Sequence, residues 1–373
     1  MKPNHSYITP RQATAILVNT LISGQLLILP RQLATTAKTS SWIPLILGSL
    51  LSLAILFVYT FIGRRFQHST LPQYAIKTLG SFFGGGLALL FAASWLVMTA
   101  LSSRIFSAVI VTSVLPRVSM KIAILVMLLL GTHLATHDIK TVARVHELFL
   151  PFILAIVLLL LIPTLPRVSI WRLLPVVQFQ NVRLVGYSTL VAVTSFSGFE
   201  IVSLFMPFYS NLEKAGRSHS IGLIIVATTY LLILLASIGV FGVPELIRTQ
   251  WPTLQLIRII GFRGLFERLE APFLAVYVIA IFTTVGSLLF GVVSILSDLF
   301  NIKSRLTWPY FLVIPVYYLA LKPENIMELE RIVRLALLIH LGIVLLVPLV
   351  ILPIAVIRGK GDKPGAKQTT TDS

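Results

Sequence analysis

Residues 194–205 read "TSFSGFEIVSLF", and Glu200 is the one side chain among them that can carry a full charge. A carboxylate inside an apolar stretch needs a proton, a cation or a bound solute, because lipid offers it nothing. Three states are open to Glu200: protonated, paired with Arg104 of "WLVMTALSSRIF", or facing the amine of a ligand. A carboxylate that only seals a gate is the structural alternative. Around Glu200 stand Thr194, Ser195 and Ser197, just before Gly198.

A second stretch has the same character. "NTLISGQLLILP", residues 19–30, sets Asn19, Thr20, Ser23 and Gln25 around Gly24. Glycine reaches backbone conformations closed to other residues. A membrane helix that loses its winding at such a point exposes amides able to hold a carboxylate and carbonyls able to hold an ammonium group. Taken singly, either glycine would be read as a close packing contact, with serines bonding back to the preceding turn. As a pair, at corresponding places of two halves, they point to a solute site near the membrane midplane. Trp95, Met98 and Leu101 share one face of the third apolar segment, and Thr283, Thr284 and Ser287 stripe the eighth. In a two-repeat bundle both faces flank the broken pair.

Other chemistry finds little support. His133 and His137 have metal-ligand spacing and precede Asp138, but lack an evident third ligand and read as an interfacial pair. With no cysteines, thiolate nucleophiles and cysteine-held metals are excluded. No nucleophile elbow, phosphate loop, dinucleotide fingerprint or zinc-protease helix is present. Neither an enzyme nor a cofactor is expected.

The elements that must position these residues are membrane helices. Of 373 residues 56% are hydrophobic and 12% charged, against roughly 25% charged in soluble domains. A crossing helix needs about 20 mainly apolar residues. Ten segments qualify or nearly so: 12–29, 43–62, 82–111, 122–137, 148–165, 185–209, 220–243, 273–296, 309–321 and 332–356. The fourth and ninth are short, and Pro348 and Pro353 interrupt the last. The expected organisation is a segment 1–11, a ten-span membrane domain 12–357 with repeats near 12–165 and 185–357, and a disordered polar tail 358–373.

The net charge of +17 comes from 30 Lys and Arg that lie between the apolar runs, where lipid head groups meet them. No basic helix with exposed aromatics suggests a nucleic-acid partner. An even number of spans puts both termini on one side. Arg64, Arg65, Lys77, Lys214, Arg217 and Arg358 favour the cytoplasm, since the many outer charges fall in the longest loops, which count less. The loop 244–269, with "WPTLQLIRIIGFRGLFERLE", reads either as an interfacial helix or as a cap over span ends.

In order and spacing several short stretches resemble one family: "ITPRQ" at 8–12, "ILP" at 28–30, "SWIP" at 41–44, "DIKTVARVHELFLPF" at 138–152, "LLP" at 173–175, "SGFE" at 197–200 and "ERLE" at 267–270. The chain resembles the B subunits of bacterial spore germinant receptors, the GerAB-type endospore germination permeases of the amino acid–polyamine–cation transporter superfamily. It departs from the commoner family form before Ala143, having Asp138-Ile139-Lys140, and no role is carried onto that loop. The resemblance implies a leucine-transporter-like fold of two inverted five-span repeats with broken first and sixth helices. It implies a subunit of the spore inner membrane that binds a nutrient, often an amino acid, beside A and C subunits. The ligand site it implies uses Gly24, Gln25 and their neighbours Thr20 and Ser23. From the sixth span it adds Ser195, Phe196, Ser197, Gly198 and Phe199, with Met98 or Leu101 and Thr284 completing the walls. Met98, Leu101 and Phe199 favour a small apolar amino acid, with sugars and nucleosides also open. The same broken helices serve a receptor, read out by its partners, or an ion-coupled amino acid permease. A mere docking scaffold would not need them.

Overall fold

A computed structural model describes residues 7–113, 116–177, 182–259, 270–302, 304 and 306–362. Thr9 opens the first helix through a reciprocal cap. Its hydroxyl accepts from the Gln12 amide at 3.3 Å, and the Gln12 side chain accepts from the Thr9 amide at 3.0 Å. Pro10 takes the first helical position, where a missing N–H loses no bond, so "TPRQ" starts α1, Pro10–Leu21. Winding stops over residues 22–24 and resumes as α2, Gln25–Ala37.

The sequence places the end of this span at 29, ahead of Pro30, but α2 runs through Pro30. A proline cannot donate to the carbonyl four residues back. That carbonyl, Leu26 O, instead accepts from the Thr253 hydroxyl at 2.6 Å. A side chain more than two hundred residues away repairs the local fault.

The first half continues with α3 (Trp42–Arg65), the amphipathic α4 (Leu71–Leu79), α5 (Ser81–Ser113), α6 (Met120–Ala135) and α7 (Ile139–Thr164). The second opens with α8, Val182–Thr194, then a break, then a short helical run centred on α9, Val202–Phe205. After it come α10 (Ala215–Phe241), α11 (Val243–Arg248), α12 (Pro252–Ile259), α13 (Glu270–Phe300), α14 (Val313–Leu321), α15 (Ile326–Leu346) and α16 (Leu352–Ile357). Pro348 falls in a π turn, Val347–Ile351, and the last segment stays helical through it to Ile357.

Each of the ten anticipated segments is helical for most of its length. Among the described residues six stretches are long and apolar enough to cross a membrane, and the pair Arg183–Thr194 and Phe199–Phe208, bent by 43°, makes a seventh. Met120–Ala135 and Trp308–Leu321 are apolar but shorter. This is an all-helical integral membrane protein. α13 forms its centre: 83% of its most apolar window is buried, against 33% for α7, whose outer leucines face lipid. One parallel bridge, Ile8 to Tyr209, ties the approach to α1 to the end of the broken sixth span.

Of the two readings of the loop 244–269 the structure takes the cap, and the tail departs from its expected disorder. Within the loop 244–269, Thr253, Leu254, Leu256 and Ile257 of α12 are buried, so this part caps α2; Glu267 and the rest of 260–269 lie outside the described residues. The tail is not disordered from Arg358. The Asp362 amide donates to Arg65 O at 2.9 Å, and its carboxylate meets the His68 amide at 3.0 Å and Lys77 Nζ at 2.9 Å. Asp362 thereby fastens the chain end to α3 and α4. Residues 1–6 and 363–373, with Lys2, Lys363 and Lys367, lie outside the described residues, as do Lys303 and Arg305.

Candidate solute site between two broken helices

Between the breaks lies a cavity of about 60 Å³. The first break contributes Thr20, Ser23, Gly24 and Gln25, and the second Thr194, Ser197, Gly198 and Glu200. Met98 and Leu101 come from α5, Thr284 from α13, and Val333, Leu337 and His340 from α15.

The two breaks are made differently. At the second, Gly198 has φ +113°, a left-handed conformation costly for any side chain. A Cβ there would also stand 3.2 Å from Thr20 Cγ2. At the first, Gly24 has ordinary helical angles, φ −57° and ψ −32°. The carbonyls there meet groups from other helices: Leu21 O accepts from Tyr230 Oη at 2.6 Å as well as from the Ser23 amide at 2.9 Å, and the Thr284 hydroxyl, bonded to Ala280 O of its own helix at 2.9 Å, lies 3.2 and 3.3 Å from Asn19 O and Thr20 O. Among the described residues the amides of Gly24 and Gln25 have no backbone partner. Thr20 Oγ1 and Gln25 Oε1 are buried without a hydrogen bond. Unmet polar groups are therefore concentrated at the start of α2, where amides and helix dipole favour an anion.

Glu200 is fully buried and fully bonded. Its Oε1 accepts from the Trp95 indole at 2.9 Å and lies 3.0 Å from His340 Nε2; its Oε2 accepts from the Gly198 amide at 3.0 Å. The pairing with Arg104 anticipated from the sequence does not form. Arg104 donates to Pro323 O at 2.8 Å at the far end of α5, with Nε and Nη1 unpartnered. Distance along α5 explains this: Trp95, already bonded to Glu200, precedes Arg104 by nine residues, about 13.5 Å of helix. The side chain that meets Glu200 is instead His340, in "LALLIHLGIV". The rule that singled out Glu200, an ionisable group inside an apolar run, applies equally to His340; so it does to His146 and His219, both buried.

Three residues carried over from the family resemblance lie beside the cavity and do not line it. Phe196 packs on Tyr230 at 5.5 Å and Phe199 on Tyr59 at 6.1 Å. The Ser195 hydroxyl donates to Val191 O at 3.0 Å. With three residues per short turn, side chains around a break point outward as well as inward, which the sequence order does not reveal. His133 and His137 stack edge to face at 4.8 Å, and no metal-ligand cluster of three is found among the described residues.

A second cavity, about 500 Å³, opens toward α4 between Gln73, His137, Asp138 and Asp298. Leu204 and Phe290 line it, and Phe290 stacks on Phe205 at 5.5 Å. Along α13, Phe290 follows Leu288 of the small cavity by two residues, and its stack on Phe205 of α9 is an aromatic plug at the wall of the larger space.

Broken helices facing each other around an enclosed space define a transporter-type membrane bundle. The same fold occurs in a Na+-coupled sialic acid symporter in a substrate-bound outward-open state, with a TM-score of 0.63 and 11% identity over 83% of this chain and 72% of that one. It occurs also in Mhp1, a nucleobase-cation-symport-1 family transporter in a closed conformation, with a TM-score of 0.66 and 13% identity over 87% and 75%. Both have the leucine-transporter type of fold. The chain itself belongs to the spore permease family of spore germination proteins, whose model matches residues 7–329. Spore germination protein A2 of Bacillus subtilis (strain 168) is 27% identical over 317 residues, 84% of this chain and 86% of its own length. Spore germination protein KB of the same organism is 25% identical over 363 residues, 95% of each chain. YndE, also from that organism, is 25% identical over 322 residues. These are permeases and transporters, not enzymes.

Proposed function

We propose that the chain is the nutrient-sensing subunit of a spore germinant receptor, binding a small amino acid at the midplane between its broken helices. The observation that carries this reading is the group of unmet donors at the start of α2, the amides of Gly24 and Gln25, facing Glu200 and His340 across one small cavity. An amino acid supplies a carboxylate for the amides and an ammonium group for the carboxylate side. Met98, Leu101 and Val333 leave room only for a short apolar side chain. The ten helical segments form two inverted repeats of five, with both termini in the cytoplasm, where Arg65, Lys77 and Lys360 gather around the tail. The protein works in the spore inner membrane with A and C receptor subunits, which read its change of shape and trigger germination.

Binding selects one arrangement of the bundle over another, and ligand preference for that state sets the signal. The test is thermal stability of the full chain in detergent against a panel of amino acids, sugars and nucleosides. Stabilisation by a small apolar amino acid, lost in Thr20→Val or Met98→Trp, supports the reading; stabilisation by sugars or nucleosides alone rejects the ligand class. The second cavity beyond the aromatic plug favours one rival, an ion-coupled amino acid permease. Gradient-driven accumulation of labelled amino acid in vesicles holding this chain alone would decide for the permease.

A further inference from the structure

The hydrogen bonds around His340 give the Glu200 pair two proton counts on the same heavy-atom positions. With the Ser94 hydroxyl donating to Phe91 O at 2.9 Å, Ser94 Oγ accepts from His340 Nδ1 at 3.1 Å and Nδ1 carries hydrogen. An indole N–H only donates, so Trp95 cannot supply a proton acceptor for Glu200. The 3.0 Å contact between His340 Nε2 and Glu200 Oε1 encloses one more hydrogen, on either atom. In this arrangement the pair holds one proton beyond neutral imidazole plus carboxylate, and its net charge is zero; with the hydroxyl turned to Nδ1 it holds one proton fewer.

Release needs little movement. Nδ1 loses its hydrogen, the Ser94 hydroxyl turns from Phe91 O to donate to Nδ1, and Nε2–H continues to bond Oε1. What opposes release is the negative charge left buried with 0% and 1% of the two side chains exposed. Both residues line the cavity, so a cation arriving there removes that penalty.

We propose that Glu200 and His340 form a proton site that exchanges its proton for the cationic nitrogen of the ligand. The ammonium enters the cavity, one proton leaves His340 Nδ1 for water, and no covalent bond changes in the ligand. The exchange rests on the amino-acid reading given above. Every packed element is consistent with it. α5 contributes the uncharged Ser94, Trp95 and Met98; α1 and α13 contribute Thr20 and Thr284. α3 contributes Tyr59, whose hydroxyl is committed to Val344 O at 2.8 Å. Among the described residues no Lys, Arg or Asp makes an ion pair with either member.

Two measurements on the full chain in lipid nanodiscs test this. The first needs no ligand: difference titration of the wild type against E200Q/H340Q, in which neither position titrates. One extra proton released by the wild type between about pH 4 and pH 10 is expected; no difference overturns the proton site. The second adds L-alanine, L-valine or L-leucine, with their N-acetyl forms as controls lacking the ammonium, in weak buffer with a pH indicator. Binding is read separately as thermal stabilisation. About one proton released per bound amino acid, none with N-acetyl forms, and affinity rising up to about tenfold per pH unit are expected. Binding without release and without pH dependence overturns the exchange. If no amino acid stabilises the chain, the amino-acid reading fails and the exchange with it, while the ligand-free titration still decides the proton site.

Discussion

The two breaks look alike in sequence and are unlike in structure. Around Gly24 the backbone angles are ordinary, Tyr230 bonds Leu21 O and Thr284 lies beside Asn19 O and Thr20 O, and among the described residues two amides have no backbone partner. Around Gly198 the backbone is left-handed, and the freed amide is closed by Glu200. One break is held open by outside partners and keeps vacant donors; the other is held by its own conformation and a buried ion pair. Vacant donors suit binding a solute, whereas a strained, self-satisfied turn suits switching between two arrangements.

The contrast can be broken at its strongest point first. Replacing His340 by Leu leaves the buried Glu200 Oε1 without its His340 partner and is expected to cost about 3–5 kcal/mol, read as a lowered melting temperature in detergent. A loss under about 1 kcal/mol would mean that the pair does not hold the second break. Next comes the glycine comparison. Gly198→Ala is expected to cost about 1–3 kcal/mol from the forced left-handed angle. Gly24→Ala, whose Cβ would meet only Ile105 at 3.9 Å, should stay within about 0.5 kcal/mol. Equal losses at the two sites would erase the difference between the breaks. A finer probe is Tyr230→Phe, which leaves Leu21 O with the Ser23 amide alone and is expected to cost about 1 kcal/mol, with faster amide exchange confined to residues 22–26.

The smallest effect lies away from both breaks and serves as their control. Burial pushes the Asp362 carboxyl upward, but the His68 amide and Lys77 outweigh it and hold the group below its ordinary value. Its contribution is therefore present above the unfolded value and is lost as pH falls through the folded one. Asp362→Asn should cost at most about 1 kcal/mol at neutral pH, with no loss in acid, measured as the pH dependence of the melting temperature. An effect on nutrient response would connect the tail to the breaks.

Much of this was readable in advance. The ten apolar segments, the shortness of the fourth and ninth and the places of both breaks follow from local composition, because lipid forces each helix to satisfy its own backbone. Glu200 stood out for the same reason. The end of α2 was misjudged because Pro30 is rescued by Thr253, a contact with no local trace, and the interruption read at Pro348 is bridged by a π turn. The pairing of Arg104 with Glu200 offered by the sequence does not form, because sequence shows which charges are buried but not which ones meet.

The amino-acid sequence alone determined that this chain is a helical membrane protein, which segments are apolar and where two of them lose their winding. These are properties of a few neighbouring residues in a solvent that cannot bond to the backbone. Only the tertiary structure decided that His340 neutralises Glu200, that Phe196 and Phe199 turn away from the cavity, and that the vacant amides lie at Gly24 and Gln25. Such pairings depend on directions and distances between helices far apart in the chain, which no local pattern encodes.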